Sequence, residues 1–196
     1  MEKENYSANI IRNGLFLAPS RTYGEQYIEP FIRYKYNFSH ADDASYDAKS
    51  KQGIKYEIKS CKVLESLNEQ KATMTLIEQV AFQNNNLAIN RLVRFADSKD
   101  KRYDANVQNV KRDHFDYLIY VLLFEDCVKI FKTHKTQISS IPSWSDKHGR
   151  YDQLGKSGQF PITKNNIEYH VNKNLIDTVT YDEIRDAFFQ LSVEAA

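Results

Sequence analysis

Glycine and proline are scarce in this chain, six and four among 196 residues. That excludes a collagen-like, low-complexity or linker-type segment. Cysteine is scarcer still. Cys61 and Cys127 are too few for a disulfide framework or a cysteine-based zinc site, which favours a reducing, cytoplasmic setting. The five histidines show no paired ligand spacing and no cysteine lies near them, so zinc is not assigned. No apolar run approaches the ~20 residues that cross a bilayer, and no membrane partner is expected. The start, MEKENYSANIIRNG, lacks the basic-then-apolar layout of a secretory signal. Charge of one sign is absent too: the net charge is +1 and the pI near 7.7, which neither demands nor excludes nucleic acid.

What is present is aromatic and charged. Thirteen Tyr, eleven Phe and one Trp make an aromatic-rich core with hydroxyls to spare for phosphate contacts. Charged residues at 27% and a mean hydropathy of −0.62 describe a soluble globular chain. Its length suits one domain over residues 1–196, with no internal repeat and no linker.

Ser20 is a candidate cap for a helix over Thr22–Tyr36, which Pro30 kinks or splits. Tyr27, Phe31 and Tyr34 fall on one stripe of that helix, and Glu25, Ile28 and Ile32 on another. Ser45–Ser60 reads as a β-hairpin. Residues 73–95 mix helical and strand-like signals, and a helix is expected from Thr73. "FDYLIYVLLF" (115–124) is apolar enough for a central strand buried on both faces, and "CVKIFKT" (127–133) alternates and would pair with it across Glu125-Asp126. Residues 144–166 read as polar loops with a short strand near Phe160–Thr163. Thr180 and Glu183 form a capping box at the head of a last helix over 180–192, buried along Ile184, Ala187, Phe188 and Leu191. The expected fold is an α/β domain around a central mixed β-sheet flanked by helices.

The hairpin carries the chemistry. With Ser50 facing Ile54, the loop is Lys51-Gln52-Gly53, and its last position needs the positive φ that glycine adopts without steric cost. Counting back, Asp47 faces Glu57, and strand alternation puts Glu57, Lys59 and Asp47 on one face. Carboxylates directly opposite each other, ~4.5–5.5 Å apart at Cβ, repel. A divalent cation offsets that repulsion, and Mg²⁺ takes one or two carboxylates plus waters and phosphate oxygens. The Ile58 side chain points to the opposite face while its carbonyl stays available to the metal. Lys59 on the carboxylate face would orient a water or stabilise charge on an attacked phosphate. Glu25, in the preceding helix, is a possible third carboxylate. An ordinary solvated hairpin with a stray acidic pair would give the same E-x-K spacing.

The order helix glutamate, hairpin aspartate, "YEIKSCKV" strand and apolar strand resembles the type II restriction endonucleases of the PD-(D/E)xK nuclease superfamily. The resemblance covers roughly Tyr23 to Lys132, with Tyr46 standing where the motif has proline. It implies a restriction-endonuclease-like core over about 20–135, with Asp47, Glu57, Lys59 and Glu25 as catalytic residues and Asp47, Glu57 and the Ile58 carbonyl as Mg²⁺ ligands. It also implies double-stranded DNA as substrate, a homodimer that cuts both strands of a palindrome, and a cognate DNA methyltransferase as functional partner. Base reading would fall to loops over about 140–172, where Lys147, His148, Arg150, Gln153, Lys156, Gln159, Lys164 and Asn165 carry the right chemistry. Lys111 and Arg112, with His114, form a second basic group before the central strand. A structure-specific repair or junction nuclease of the same superfamily and a catalytically silent DNA-binding protein are the competing readings.

Overall fold

The computed structural model describes residues 6–67, 74–147 and 157–194. A six-stranded mixed sheet runs β1 (Ser39–His40), β2 (Ala48–Lys49), β3 (Lys55–Lys62), β5 (Tyr117–Leu123), β6 (Val128–His134) and β8 (Leu175–Val179). Only the β3–β5 pair is parallel; the other four pairs are antiparallel. The chain leaves β3, forms α3 (Leu76–Asn85) and β4 (Ala105–Val110), and then enters β5 beside β3. β4 pairs with β7 (Gly158–Ile162) in a separate two-stranded ribbon.

β5 is buried on both faces, as its composition predicts. Ile119, Val121 and Leu123 point into one core with β3 residue Ile58 and the helices α1 (Ala8–Leu17), α2 (Glu29–Tyr36) and α5 (Tyr181–Glu194). Leu118, Tyr120 and Leu122 point into the other, with Val107 of β4 and Phe160 of β7. The second core also encloses His170 of α4 (Ile167–Asn174), which bonds the Tyr120 hydroxyl at 2.8 Å. The β5–β6 hairpin turns at Glu125-Asp126 in the expected register. The capping box of α5 is present: the Thr180 backbone N–H donates to Glu183 Oε2 at 2.7 Å, and the Glu183 N–H donates back to the Thr180 hydroxyl.

Four expectations change. The helix expected over Thr22–Tyr36 is not uniformly α. Thr22–Ile28 is a π-helix that passes without a break into α2, with Pro30 at the second residue of α2, directly after the π-helical turn. Its i, i+5 repeat puts Tyr23 and Ile28 on the buried face; each of the two stripes is split, with Phe31 and Ile32 buried and Tyr27 and Tyr34 exposed. Ser20 lies inside the helix rather than capping it. Residues 167–179, to which no regular structure was assigned, form α4 and β8. The helix expected from Thr73 begins at Leu76, capped by Thr75 and Glu78.

Candidate active site

The three-residue turn sets the geometry. Gly53 has φ +82°, the Ser50 N–H donates to the Ile54 carbonyl, and Ala48 pairs with Tyr56. The expected register is therefore realised, and it projects Asp47 opposite Glu57. β2, however, is only two residues long. At Asp47 the chain leaves the ladder after one last backbone bond, from its N–H to the Tyr56 carbonyl at 2.9 Å. The Asp47 carboxylate then takes the place of the missing strand, as Oδ2 accepts the Ile58 N–H at 2.7 Å. The Ile58 carbonyl points to the same edge, between the Tyr56 carbonyl and the Ser60 carbonyl that accepts from the Tyr23 hydroxyl.

Glu57 and Lys59 share the face of β3 that looks toward Leu118 and Tyr120, their partners on β5. The Glu57 side chain is 9% exposed and forms an ion pair with Lys59, whose Nζ also lies 4.0 Å from Asp47 Oδ2. The facing carboxylates, expected to be without a counter-charge other than a metal, thus share an ammonium in this structure. Burial is the main influence on Glu57 and raises its carboxyl above the ordinary range; Lys59 opposes that rise and Asp47 adds to it. For Lys59, burial alone would depress the ammonium, but Glu57 and Asp47 outweigh it and hold it above the usual lysine value. Ile58 itself is buried on the helix side, which fixes the strand beneath the site.

Glu25 does not join the group. Its carboxylate is 54% exposed and pairs with Arg21 at 3.0 Å. The helix carboxylate that does bear on the site is Glu29, one turn further on, which the sequence reading passed over. It is 19% exposed, with Arg33 at 3.7 Å. Desolvation, followed by the negative charge of Asp47, pushes its carboxyl up to about 7, while Arg33 and Lys59 pull the other way. Sequence signals for Glu29 did exist, since it directly precedes Pro30 in the same "YGEQYIEPF" segment, but they required the π-helical phase. Tyr46, at the motif's proline position, is buried beneath the Lys55 ammonium, 4.8 Å from its ring centroid, and anchors the strand as it enters.

The donors present are hard oxygens: the Asp47 and Glu57 carboxylates and the Ile58 carbonyl. That set fits Mg²⁺, which keeps waters and needs few protein ligands. Each carboxylate commits one oxygen, Asp47 Oδ2 to the Ile58 N–H and Glu57 Oε1 to Lys59, and has a second oxygen for a cation. Among the described residues, no three His, Cys, Asp or Glu side chains converge closely enough to form a metal cage by themselves.

Of the expected DNA contacts, Lys111 is exposed and its charge acts on Glu57, which places it beside the site. Arg112 is engaged elsewhere, bound to Asp146 at 2.7 Å and lying over the Trp144 ring. Lys147, Lys164 and Asn165 are exposed loop residues. His148, Arg150, Gln153 and Lys156 lie outside the described residues. Among the described residues no helix is long and apolar enough to cross a membrane. No protein-family model matches the sequence, and no curated protein is similar to it.

Proposed function

We propose that this protein is a Mg²⁺-dependent endonuclease of double-stranded DNA with a restriction-endonuclease-like core, of the type II site-specific kind. The observation that carries the proposal is the Lys59 ammonium set between the Glu57 and Asp47 carboxylates, at a sheet edge where the Ile58 carbonyl emerges. A bound cation would be held by Asp47, Glu57 and the Ile58 carbonyl, and there it supplies a polarised phosphate oxygen and a more acidic water. The chain's own groups do the remaining work. Lys59 Nζ, freed from part of its ion pair, orients the attacking water and balances charge on the phosphate. Glu29 holds or releases a proton near neutral pH, because its carboxyl sits near 7. A homodimer would supply one such centre to each strand of a palindrome, and a cognate methyltransferase would protect the host's own sites.

One observation favours a catalytically silent DNA-binding protein instead: Lys59 pairs with Glu57 and lies 4.0 Å from Asp47, so the chain itself offsets part of the carboxylate repulsion. Incubation with supercoiled plasmid and Mg²⁺ separates the readings. Discrete fragments that vanish with EDTA support the site-specific nuclease. A smear points to a structure- or sequence-indifferent nuclease, and intact plasmid at high enzyme refutes catalysis.

A further inference from the structure

Beside Lys59 lies a cleft of about 430 Å³, walled on one side by β3 from Lys59 to Lys62 and on the other by the start of β4. Lys62 is not free within it, since its ammonium donates to the Phe16 and Ala18 carbonyls at the end of α1. The β4 wall is different. Ala105, Val107 and Val110 are buried in the core. Asp104, Asn106 and Gln108 alternate with the first two and line the cleft. Asp104 and Gln108 are exposed and Asn106 is half-buried. Between Val107 and Val110 the β4–β7 pairing breaks, so Gln108 lies within the irregularity, and Asn109 takes φ +56°. Bulges of this kind re-aim side chains next to functional sites. A second observation singles out Asn106: its Oδ1 is shielded from solvent and has no hydrogen-bond partner. An orphaned acceptor of this sort is destabilising in the free protein, and a change of the side chain about χ1 that swings the whole amide into the cleft would let a ligand satisfy both its donor and its acceptor.

We propose that Asn106 and Gln108 read base edges of the DNA beside the scissile phosphate, each offering the paired donor and acceptor that match adenine. An amide side chain donates to N7 and accepts from N6 of adenine in the major groove. Spacing says which base. The Cys61 thiol, two residues beyond Lys59 on the same strand face, donates to the Asn106 backbone carbonyl at 3.2 Å. Two strand residues span ~7 Å, about two base-pair steps at 3.4 Å each. Asn106 therefore addresses a base pair within about two steps of the cut, and Gln108 one within about four. This placement relative to the cut rests on reading Asp47, Glu57 and Lys59 as the cutting centre; the base reading itself does not.

The experiment is a selection from a randomised duplex library in EDTA, run with the full-length wild type and with the Asn106→Ala and Gln108→Ala variants, followed by cut-site mapping in Mg²⁺. Wild type is expected to enrich a motif, and each variant to lose preference at one A·T pair of it. Discrimination there should fall ~5- to 150-fold, with other positions unchanged. Because Asn106→Ala removes an unpartnered polar atom, thermal melting should show it to be as stable as wild type. A motif unchanged in both variants, no motif at all, or affected pairs lying far from the mapped cut overturns the proposal. A wild type that enriches a motif but never cuts refutes the nuclease reading alone.

Discussion

Replacing Glu29 by glutamine tests the electrostatics of the site without touching DNA or metal. In the folded protein the Glu29 carboxyl is pushed up to about 7 from an ordinary 4.5. Desolvation is the first cause and the Asp47 carboxylate the second. An acid whose folded pKa is raised binds its proton more tightly in the native state. Its contribution is therefore most favourable below pH 4.5, where both states are protonated. It is eroded as the unfolded chain ionises between 4.5 and 7, and is fully unfavourable above 7. At 1.36 kcal/mol per pH unit, the interval corresponds to ~3 kcal/mol. Glutamine keeps the shape and never ionises. Glu29→Gln should therefore match wild type in unfolding free energy at pH 4.5 and exceed it by up to ~3 kcal/mol at pH 8. Urea titrations at pH 4.5, 6 and 8, followed by tryptophan fluorescence and far-ultraviolet dichroism, read the difference directly, and comparing the two proteins cancels the titrating groups on which the Glu29 charge does not act. A difference that stays constant with pH would show that Glu29 is neither desolvated nor close to Asp47, and would remove it from the site.

Three further perturbations probe the same region and its supports. Lys59→Ala should slow cleavage on the order of 10²–10³-fold and also cost ~1–3 kcal/mol in stability, because buried Glu57 loses its ion-pair partner; a normal cleavage rate would make Lys59 a structural residue only. Asp47→Asn should abolish cleavage while the fold persists, since an amide oxygen still accepts the Ile58 N–H, and gel shifts in EDTA should show DNA binding retained or tightened as one anion facing the phosphates is removed; wild-type cleavage by this variant would refute the metal-ligand role. Gly158→Ala should destabilise by ~1–3 kcal/mol or more, because a Cβ there would stand 2.1 Å from the Trp144 ring and 2.8 Å from the Ser145 carbonyl, and unchanged melting with unchanged emission from the single tryptophan would contradict that packing.

The parts of this molecule readable from sequence are those in which one local rule dominates. Gly53 sets a three-residue turn, the turn sets the register, and Asp47, Glu57 and Lys59 follow by counting. β5 is legible because a run of large apolar residues has nowhere to go except between two cores. α5 is legible through Thr180 and Glu183. Reading failed where a rule was locally suspended. An α-helical period applied across Thr22–Tyr36 groups Tyr27, Phe31 and Tyr34 on one stripe and Glu25, Ile28 and Ile32 on the other, and offers Glu25 as the helix carboxylate. The π-helical repeat instead buries Tyr23 and Ile28, and the helix carboxylate that feels the charge of Asp47 is Glu29, the first residue of α2. β8 failed differently. Leu175–Val179 is half exposed and carries Asp177 and Thr178, so its strand character comes from pairing with β6 rather than from its own pattern.

The position of the site follows from where β2 stops. Had β2 continued past Ala48, a backbone carbonyl would have accepted the Ile58 N–H, the Ile58 carbonyl would have been paired in turn, and Asp47 would have been an ordinary cross-strand neighbour of Glu57. Because the ladder ends there, a carboxylate substitutes for the carbonyl, which brings a negative charge to the sheet edge and leaves a main-chain oxygen beside it. The antiparallel register then sets the second carboxylate opposite the first, and strand alternation sets the lysine two residues on. The cost of this arrangement is visible in Glu57 and Glu29, both raised by burial and by the charge of Asp47. Repulsion maintained against folding stability is what a cation would relieve on binding. Mg²⁺ should accordingly raise the melting temperature of wild type in a concentration-dependent way and do so far less for Asp47→Asn.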